Sequence, residues 1–464
     1  MKILIIIPSR SHHGQSGYAD FPDEMLSVAG MLESCGHIVR LFDCNIEQKP
    51  VADILDQFLP RLVILFVSTG PEIIDAIYKT DELKRVSPQI QIAWCGCHPT
   101  GLPEVTLSEP NIDYIILGAG ENALCELAAA LEKNDTNVAL IKGIGFKDIC
   151  GKIILTEPRL LMQNPDILPD PAWHLVDIQR YPDFNLSLSR GGPYKTTFFP
   201  DMPFGSEIPR SLSIGRIMSQ LAHVCGEMSV KHIYFSGQPL HLNEFLKELC
   251  QSIQDKKLKI NWTIPVSDII DGETIRLMKR AGCVSVLFEI GTASPELRAV
   301  LGKPAVSILE NNFWQFVKNH LVPTLFMMYG YPNETKTNFE ETIAFITRLD
   351  NPPYLLMRYV PYPGTRLFEH YRENNLIDLP SKLENWAEFH EKWTISDKNG
   401  SIPKEVINSA LADYRKTYAI QRIRFAIRHN PGYFIAMIKH PVEFYRKLIG
   451  LIRYYFEIAI RKSQ

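Results

Sequence analysis

Short apolar strands alternate with amphipathic helices over the first part of the chain, and this alternation restricts the fold more than any other feature. Most of these predicted strands run into short turns rich in small residues. Buried strands separated by helices are typical of a parallel, doubly wound sheet, which binds ligands at the carboxyl ends of its strands. The predicted strands are Lys2–Ile7, His37–Phe42, Leu62–Val67, Ile90–Trp94 and Tyr114–Leu117.

A second alternating region follows a connector that contains several prolines and a predicted hairpin, Ile144–Thr156. Six strands in a row, separated by amphipathic helices, predict an open or partial barrel of six β/α units. Beyond Thr365 the pattern becomes helical. The six strands of this region are Asn185–Ser189, His232–Phe235, Ile260–Pro265, Ser285–Glu289, Thr324–Tyr329 and Tyr354–Tyr359.

Composition narrows the class of protein. A chain of 464 residues is too long for one compact core and predicts several domains. Its nine cysteines are scattered and odd in number, which favours reduced thiols and a cytoplasmic location. A net charge of -3 gives no drive toward nucleic acid, so we expect no such partner. No apolar run approaches the roughly 20 residues of a membrane span.

The C-terminal region is basic although the whole chain is slightly acidic. Between Arg415 and Gln464 there are eleven Lys/Arg and two Asp/Glu, and aromatic residues interleave with the basic ones. Such a pattern is typical of a segment that lies on a membrane surface. It is equally typical of helices that pack on the barrel and expose a basic face to water.

Small and polar residues follow the third, fourth and fifth predicted strands, where a doubly wound sheet binds its ligands. They line a ligand site or are ordinary turn residues. Cys95, Cys97 and His98 resemble part of a metal site, but no second Cys/His pair has ligand spacing, so we expect no metal. The isolated His232 and His320 favour no catalytic set. The candidate residues are Ser68, Thr69, Gly70, Gly96, His98, Gly118, Gly120 and Glu121.

Several turns are similar to motifs of one family, the cobalamin-binding (class B) radical S-adenosylmethionine (SAM) enzymes. Gly118-Ala119-Gly120-Glu121 resembles the family's Gly-Glu-Gly-Glu turn, and Trp94–Thr100 resembles its Gly-Gly-Pro-His-Ala-Thr turn. Met328–Thr335 and Tyr362–Thr365 are similar to late barrel turns of the family. The resemblance implies that the eight candidate residues form a cobalamin site.

The resemblance also implies a domain order. It predicts a Rossmann- or flavodoxin-like cobalamin-binding domain over residues 1–135 and a linker over 136–180. A partial (β/α)6 barrel of the TIM type, similar to that of radical SAM enzymes, then covers 181–375. A helical C-terminal region covers 376–464.

The sequence departs from the family in the first barrel loop. The family has Cys-x3-Cys-x2-Cys there, because three thiolates hold three irons of a [4Fe-4S] cluster. In Ser189–Pro200 these positions are Gly192, Thr196 and Phe199, none of which is a soft sulfur donor. We therefore expect no cluster. Tyr194 and Lys195 of this loop contact an anion or substrate, or are simply solvated.

The predicted SAM site departs from the family as well. After the second barrel strand, Ser236-Gly237-Gln238-Pro239 contains no carboxylate for the SAM amino group. After the fourth strand the family has Gly-Ile-Glu-Ser-Gly-Ser, whose glutamate can meet the SAM ribose. Gly291 stands in place of that glutamate in Glu289–Ser294. SAM binding is therefore doubtful.

Three functions follow from the resemblance and its failures. The first is a cobalamin-binding protein without SAM cleavage, which assists a biosynthetic pathway and pairs with an intact radical SAM paralogue or a pathway enzyme. The second is a cobalamin-dependent enzyme that transfers methyl groups or forms rings without a radical, on a lipid-like or secondary-metabolite substrate. The third is a partner-binding protein without cofactor. Catalytic residues cannot be named from the sequence, and enzymatic activity stays open.

Overall fold

The computed structural model describes residues 1–464 except 11–19, 48, 136, 161, 182, 192–208, 229, 231, 238, 376, 390–401 and 430–464. The three positions of the expected cluster ligands, together with Tyr194, Lys195 and Gln238, lie outside the described residues, as does most of the basic C-terminal region. No helix in the described part of the chain is both long and apolar enough to cross a bilayer.

The described residues form two compact units. The first lies within Met1–Val224, Ser236–Leu240 and Val360–Thr394. The second lies within Cys225–Phe235, His241–Tyr359 and the described residues after Ile395. The domain limits expected from the sequence stay a prediction.

A seven-stranded sheet forms the core of the first unit, with strand order β2-β1-β3-β4-β5-β6-β7. The strands are β1 (Lys2–Ile7), β2 (Ile38–Asp43), β3 (Leu62–Phe66), β4 (Gln91–Cys95), β5 (Tyr114–Ile116), β6 (Ile144–Lys147) and β7 (Ile153–Leu155). Their helices are α1 (Asp23–Ser34), α2 (Val51–Phe58), α3 (Glu72–Val86), α4 (Cys97–Gly101), α5 (Pro103–Leu107) and α6 (Glu121–Glu132).

The first five strands are parallel, and their order 2-1-3-4-5 is that of flavodoxin-like sheets. Ile3–Ile6 have no exposed surface, because helices cover both faces of the sheet. The predicted hairpin forms β6 and β7, which extend the sheet as antiparallel edge strands. The predicted doubly wound sheet is thus confirmed, and its strand ends lie where the sequence placed them to within about two residues.

All six predicted barrel strands are present. In chain order the remaining elements are β8 (Phe184–Ser187), β9 (Ser189–Arg190), β10 (Arg210–Ser211), α7 (Ile214–Gly226), β11 (His232–Ser236), α8 (Leu242–Asp255), β12 (Asn261–Val266), α9 (Gly272–Arg280), β13 (Cys283–Gly291), α10 (Pro295–Val300), α11 (Val306–Lys318), β14 (Val322–Tyr329), α12 (Lys336–Arg348), β15 (Tyr354–Arg358), α13 (Arg366–Glu373) and α14 (Lys404–His429).

Strands β11 to β15 pair in chain order and are all parallel, as a partial barrel requires. Side-chain caps fix where several of the connecting helices begin. The Asp271 carboxylate accepts a hydrogen bond from the Thr274 N–H, and Thr335 and Asn338 form a reciprocal capping box at the start of α12. The fold class predicted from the sequence, a Rossmann-like sheet followed by a partial barrel, is confirmed.

Candidate functional site

The turns that follow β3 and β4 are held together by one backbone carbonyl. The N–H of His98 donates to the Val67 carbonyl over 3.2 Å. A Cβ on Gly96 would lie 2.6 Å from the same oxygen, and the φ of Gly96 is 109°. Both the contact and the backbone conformation therefore require glycine at this position.

His98 is enclosed by the first unit. Its Nδ1 lies 3.0 Å from the Thr69 hydroxyl, and the Trp386 ring meets it edge-on with centroids 6.0 Å apart. Its Nε2 has no hydrogen-bond partner among the described residues. Burial lowers the pKa of His98 to about 3, so the imidazole is neutral at pH 7. Because the ring has no exposed surface, it holds the turn together and does not face a ligand in this conformation.

A threonine connects the turn after β4 to the turn after β5. The Thr100 hydroxyl donates to the Gly96 carbonyl over 2.8 Å and accepts from the Gly118 N–H over 3.0 Å. Gly118 has a φ of 79°, which favours glycine. The turns that the sequence predicted to lie side by side are therefore in contact.

Glu121 is committed to an ion pair. Its Oε1 lies 3.0 Å from Nη1 of Arg190, which is in β9, and Nη2 of Arg190 donates to the Ser27 hydroxyl over 2.7 Å. This ion pair connects the start of α6 to the base of the first barrel loop, and the assignment of Glu121 to a cofactor stays a prediction. Arg190 was not among the residues that the sequence predicted for the site.

Two acidic residues beside this ion pair were missed from the sequence. Burial raises the pKa of Asp23, which accepts a hydrogen bond from the Ser187 hydroxyl over 2.9 Å. Burial and repulsion from Asp23 also raise the pKa of Glu24 to about 7, against the attraction of Arg190. The side chain of Glu24 nevertheless keeps exposed surface. Glu24 therefore lies among the charges of Asp23, Glu121 and Arg190 and is still accessible to solvent.

The predicted site residues divide into two groups by exposure. Thr69, Gly70, His98 and Glu121 are buried and support the turns. Ser68, Gly96, Gly118 and Gly120 keep partly exposed surface at the carboxyl edge of the sheet. The small side chains and exposed backbone of these four residues would allow a large planar ligand to approach closely. Their assignment to cobalamin stays a prediction.

In the second unit, Gly291 ends β13 under two polar side chains. A Cβ on Gly291 would lie 2.6 Å from the Tyr331 hydroxyl and 3.0 Å from Nζ of Lys303, and its φ is 71°. The space into which a side chain at position 291 would extend is therefore filled. A glutamate would fit here only if Tyr331 and Lys303 moved away.

Buried polar groups fix the backbone near Gly291, Lys303 and Tyr331. Arg298 is 3% exposed, and its guanidinium donates to the carbonyls of Ile290 and Thr292 over 2.9 Å each and to that of Pro304 over 2.6 Å. Glu334 accepts a hydrogen bond from the Tyr331 N–H over 3.0 Å. Burial raises the pKa of Glu334 to about 7. The backbone that carries Gly291, Lys303 and Tyr331 is thus preorganised.

The residues that first suggested metal or acid–base chemistry do not converge. No group of three or more His, Cys, Asp or Glu side chains with the geometry of a metal site occurs in the part of the chain that the structure describes. Burial raises the pKa of the Cys97 thiol to about 12, so it stays protonated. His232 lies 3.2 Å from the Thr263 hydroxyl, and the His320 carbonyl accepts from Lys279.

Comparison with known proteins places this arrangement in a class. A family model described as a B12 binding domain matches residues 21–128. The chain is 29% identical to an uncharacterised methyltransferase of Pyrococcus horikoshii, over 98% of this chain and 99% of the relative. It is 23% identical to the anaerobic magnesium-protoporphyrin IX monomethyl ester cyclase of Rubrivivax gelatinosus, over 90% of this chain and 77% of the relative.

A solved structure shares the fold of both units. The radical SAM methyltransferase TsrM from Kitasatospora setae, solved with cobalamin and a [4Fe-4S] cluster bound, matches with a TM-score of 0.71. The match covers 89% of this chain and 90% of that one at 15% sequence identity, so it supports the fold alone.

The sheet and the partial barrel therefore define a protein with a B12-binding domain and a radical-SAM-type fold. The family model over residues 21–128 and the relatives agree with the motifs, and together they support the resemblance of this chain to the cobalamin-binding radical SAM family.

Proposed function

We propose that this protein binds cobalamin but has lost the [4Fe-4S] cluster and SAM cleavage, and that it serves a biosynthetic pathway as an accessory or non-radical member. The observation that carries the proposal is the filled space over Gly291. Where the family has a glutamate that can meet the SAM ribose, Tyr331 and Lys303 lie within about 3 Å of a Cβ position. SAM would meet an ammonium group there instead of a carboxylate.

The first barrel loop supports the same conclusion. Reductive cleavage of SAM needs an electron from a cluster that also binds the amino and carboxylate groups of SAM. Gly192, Thr196 and Phe199 cannot supply the three thiolates that hold such a cluster. The loss of ligands and the filled space are independent changes, and both remove the same reaction.

Cobalamin binding is proposed at the carboxyl edge of the first unit's sheet. The backbone at Ser68, Gly96, Gly118 and Gly120 would approach the corrin closely, and Thr100 would hold two of these turns at a fixed separation. Bound cobalamin supplies a cobalt centre that can carry a methyl group. Glu24, whose pKa is raised to about 7, is partly protonated at pH 7 and can therefore donate or accept a hydrogen bond.

The second candidate function is a cobalamin-dependent enzyme that transfers methyl groups or forms rings without a radical. The relatives favour it, because one is named a methyltransferase and another a cyclase. The first candidate is preferred because it requires only that cobalamin binds. The second also needs catalytic residues, for which Glu24 is a candidate acid or base. An intact radical SAM paralogue encoded nearby would favour the accessory role.

Anaerobic reconstitution tests the proposal. Wild type should bind cobalamin, visible in its ultraviolet–visible spectrum, and should contain no stoichiometric iron or sulfide. With SAM and a strong reductant it should yield no 5′-deoxyadenosine above a control without protein. The Gly192→Cys/Thr196→Cys/Phe199→Cys variant is the matched control, since it restores the ligands and should acquire iron. Cleavage of SAM by wild type would overturn the loss of the radical reaction, and a failure to bind any cobalamin would favour the partner-binding protein without cofactor.

A further inference from the structure

Helices α1 and α6 of the first unit run side by side in a fixed register. The Ser27 hydroxyl of α1 donates a hydrogen bond to Oε1 of Glu121 over 3.3 Å. Further along both helices, the Cys125 thiol donates to the Met31 carbonyl over 3.4 Å. Each helix advances by four residues, or about one turn, between the two contacts, so the helices are parallel. This register brings the end of α1 to Cys125.

Cys35 caps the end of α1 beside Cys125. Its N–H donates to the Met31 carbonyl over 3.1 Å, so the two cysteines converge on one backbone oxygen. Their thiols also contact each other through a side-chain hydrogen bond. The fold therefore places side by side two sulfur atoms that are far apart in the sequence.

The two thiols differ in their access to solvent. Cys35 is exposed and Cys125 is buried, and both are free. Burial and the contact with Cys35 raise the pKa of the Cys125 thiol, which is therefore protonated at pH 7. A reagent in solution reaches Cys35 first, and Cys125 then lies in position to attack the modified sulfur. An exposed thiol beside a buried second thiol is typical of a pair that closes to a disulfide.

We propose that Cys35 and Cys125 form a redox-active dithiol, which a low-molecular-weight disulfide such as glutathione disulfide oxidises to an intramolecular disulfide that clasps α1 to α6. The Cys35 thiolate attacks one sulfur of the external disulfide, forms a mixed disulfide and releases the first thiol. The Cys125 sulfur loses its proton, attacks the Cys35 sulfur and releases the second thiol. The protein loses two electrons and two protons, and the external disulfide is reduced to two thiols.

The clasp acts on the two helices that hold Arg190. The Ser27 hydroxyl accepts a hydrogen bond from Nη2 of Arg190, and Glu121 pairs with Nη1. A disulfide between Cys35 and Cys125 keeps α1 on α6 in the register that both contacts need. The redox state of the dithiol thereby acts on the base of the first barrel loop. The clasp needs no cofactor, so it does not depend on the proposed function.

Peptide mass spectrometry of folded full-length protein, treated with glutathione disulfide, tests the dithiol. The peptides of Cys35 and Cys125 should be linked in wild type, with the loss of two hydrogens. Cys125→Ser should instead accumulate glutathione on Cys35, and Cys35→Ser should leave Cys125 unmodified. Cys150→Ser is the matched control, because Cys150 is also exposed and its loss should not change the yield of the linked peptide. Glutathione that remains on Cys35 in wild type would overturn the proposal.

Thermal melts test the clasp. Oxidised wild type should melt about 3 °C or more above reduced wild type, because the disulfide closes a long loop in the unfolded chain. Cys125→Ser, treated in the same way, should show no such rise. Circular dichroism before treatment shows whether each variant is folded. A linked wild-type protein that melts at the same temperature as the reduced protein, or below it, would contradict a clasp that fits the native structure.

Arg190→Met tests the connection to the first barrel loop. This substitution should lower the thermal midpoint less in oxidised than in reduced protein, because the disulfide still holds α1 on α6 when Ser27 and Glu121 lose their shared partner. Equal losses in the two redox states would contradict an effect of the clasp on the base of the loop.

Discussion

Gly96 in the first unit and Gly291 in the second both end a parallel strand with a positive φ, but different atoms surround them. A Cβ on Gly96 would meet the backbone carbonyl of Val67, which the fold holds in place. A Cβ on Gly291 would meet the ends of two side chains, Tyr331 and Lys303. The first glycine is required by the course of the chain. The second is required by its own φ of 71° and by the ends of two side chains, which can move more easily than backbone.

The two glycines differ in whether backbone or side chains surround them. In the first unit, the turns at the strand ends keep a network in which Thr69, Thr100 and Glu121 all have partners. In the second unit, Arg298 holds the backbone at the end of β13, while the space above it contains a neutral hydroxyl from Tyr331 and the ammonium of Lys303. A glycine at the end of a parallel strand therefore meets different neighbours in each unit.

The largest expected effect is at Gly96. Gly96→Ala should lower the free energy of unfolding by about 3 kcal/mol, because a strained φ adds to a contact with fixed backbone.

Gly291→Ala should lower the free energy of unfolding by less, and Tyr331→Phe should partly rescue it, because the Tyr331 hydroxyl is the nearest atom. Urea denaturation of the single and double variants gives the coupling energy between Gly291→Ala and Tyr331→Phe, which we expect to be about 1 kcal/mol. A rescue of Gly96→Ala by Val67→Ala would contradict the comparison, since that substitution leaves the carbonyl in place.

The fold could be predicted from the sequence because its signals are local. Runs such as Lys2–Ile7 and Val322–Tyr329 are apolar or alternating, and turns follow them directly. The sequence did not show the contents of the space over Gly291, because Lys303 and Tyr331 reach it from different loops. It did show that a glutamate was missing there. The motif alone shows that the family's glutamate is absent. Which side chains fill the space over Gly291 depends on long-range contacts, which the motif does not show.

The next largest effect on the free energy of unfolding is expected at His98, and it depends on pH. Its folded pKa of about 3 lies below the ordinary value of 6.5, so the unfolded state binds more protons below pH 6.5. The stabilisation that the neutral His98 contributes is therefore fully present above pH 6.5 and is lost as the pH falls toward 3. Between pH 7 and pH 5 wild type should lose about 2 kcal/mol more than His98→Gln. Urea denaturation at both pH values measures this, and equal losses would show that His98 is not buried as a neutral ring.

The sequence could predict which turns come together, but not the contacts that each residue makes there. The sequence brought the turns after β3, β4 and β5 to one edge because parallel strands end together. The resemblance assigned His98 and Glu121 to a cofactor, which stays a prediction, and the structure adds their protein partners Thr69 and Arg190. Arg190 and Glu24 were not found, because an ion pair between residues 69 positions apart has no periodic signal.

A smaller effect is expected at the ion pair. Glu121→Gln and Arg190→Met should each lower stability, with a coupling of about 1 kcal/mol, since the arginine is partly exposed. If Glu121 acts only through Arg190, Glu121→Gln should not weaken cobalamin binding further in the Arg190→Met background. A further loss of affinity in that background would show a direct contact between Glu121 and the cofactor.

The smallest effect on stability is expected at Gly120, although its effect on cobalamin should be clear. Its φ is -88°, and a Cβ would lie 3.2 Å from Cδ1 of Leu124, a flexible side-chain end. Gly120→Ala should therefore change the free energy of unfolding by about 1 kcal/mol or less. Gly120→Leu should remain folded and bind cobalamin at least tenfold more weakly, because the new side chain would occupy the exposed edge. Gly226→Leu is the control, since a Cβ there meets nothing within 4 Å. Absorbance titration with cobalamin and a thermal melt separate the two effects, and unchanged cobalamin affinity in folded Gly120→Leu would place the cofactor away from this turn.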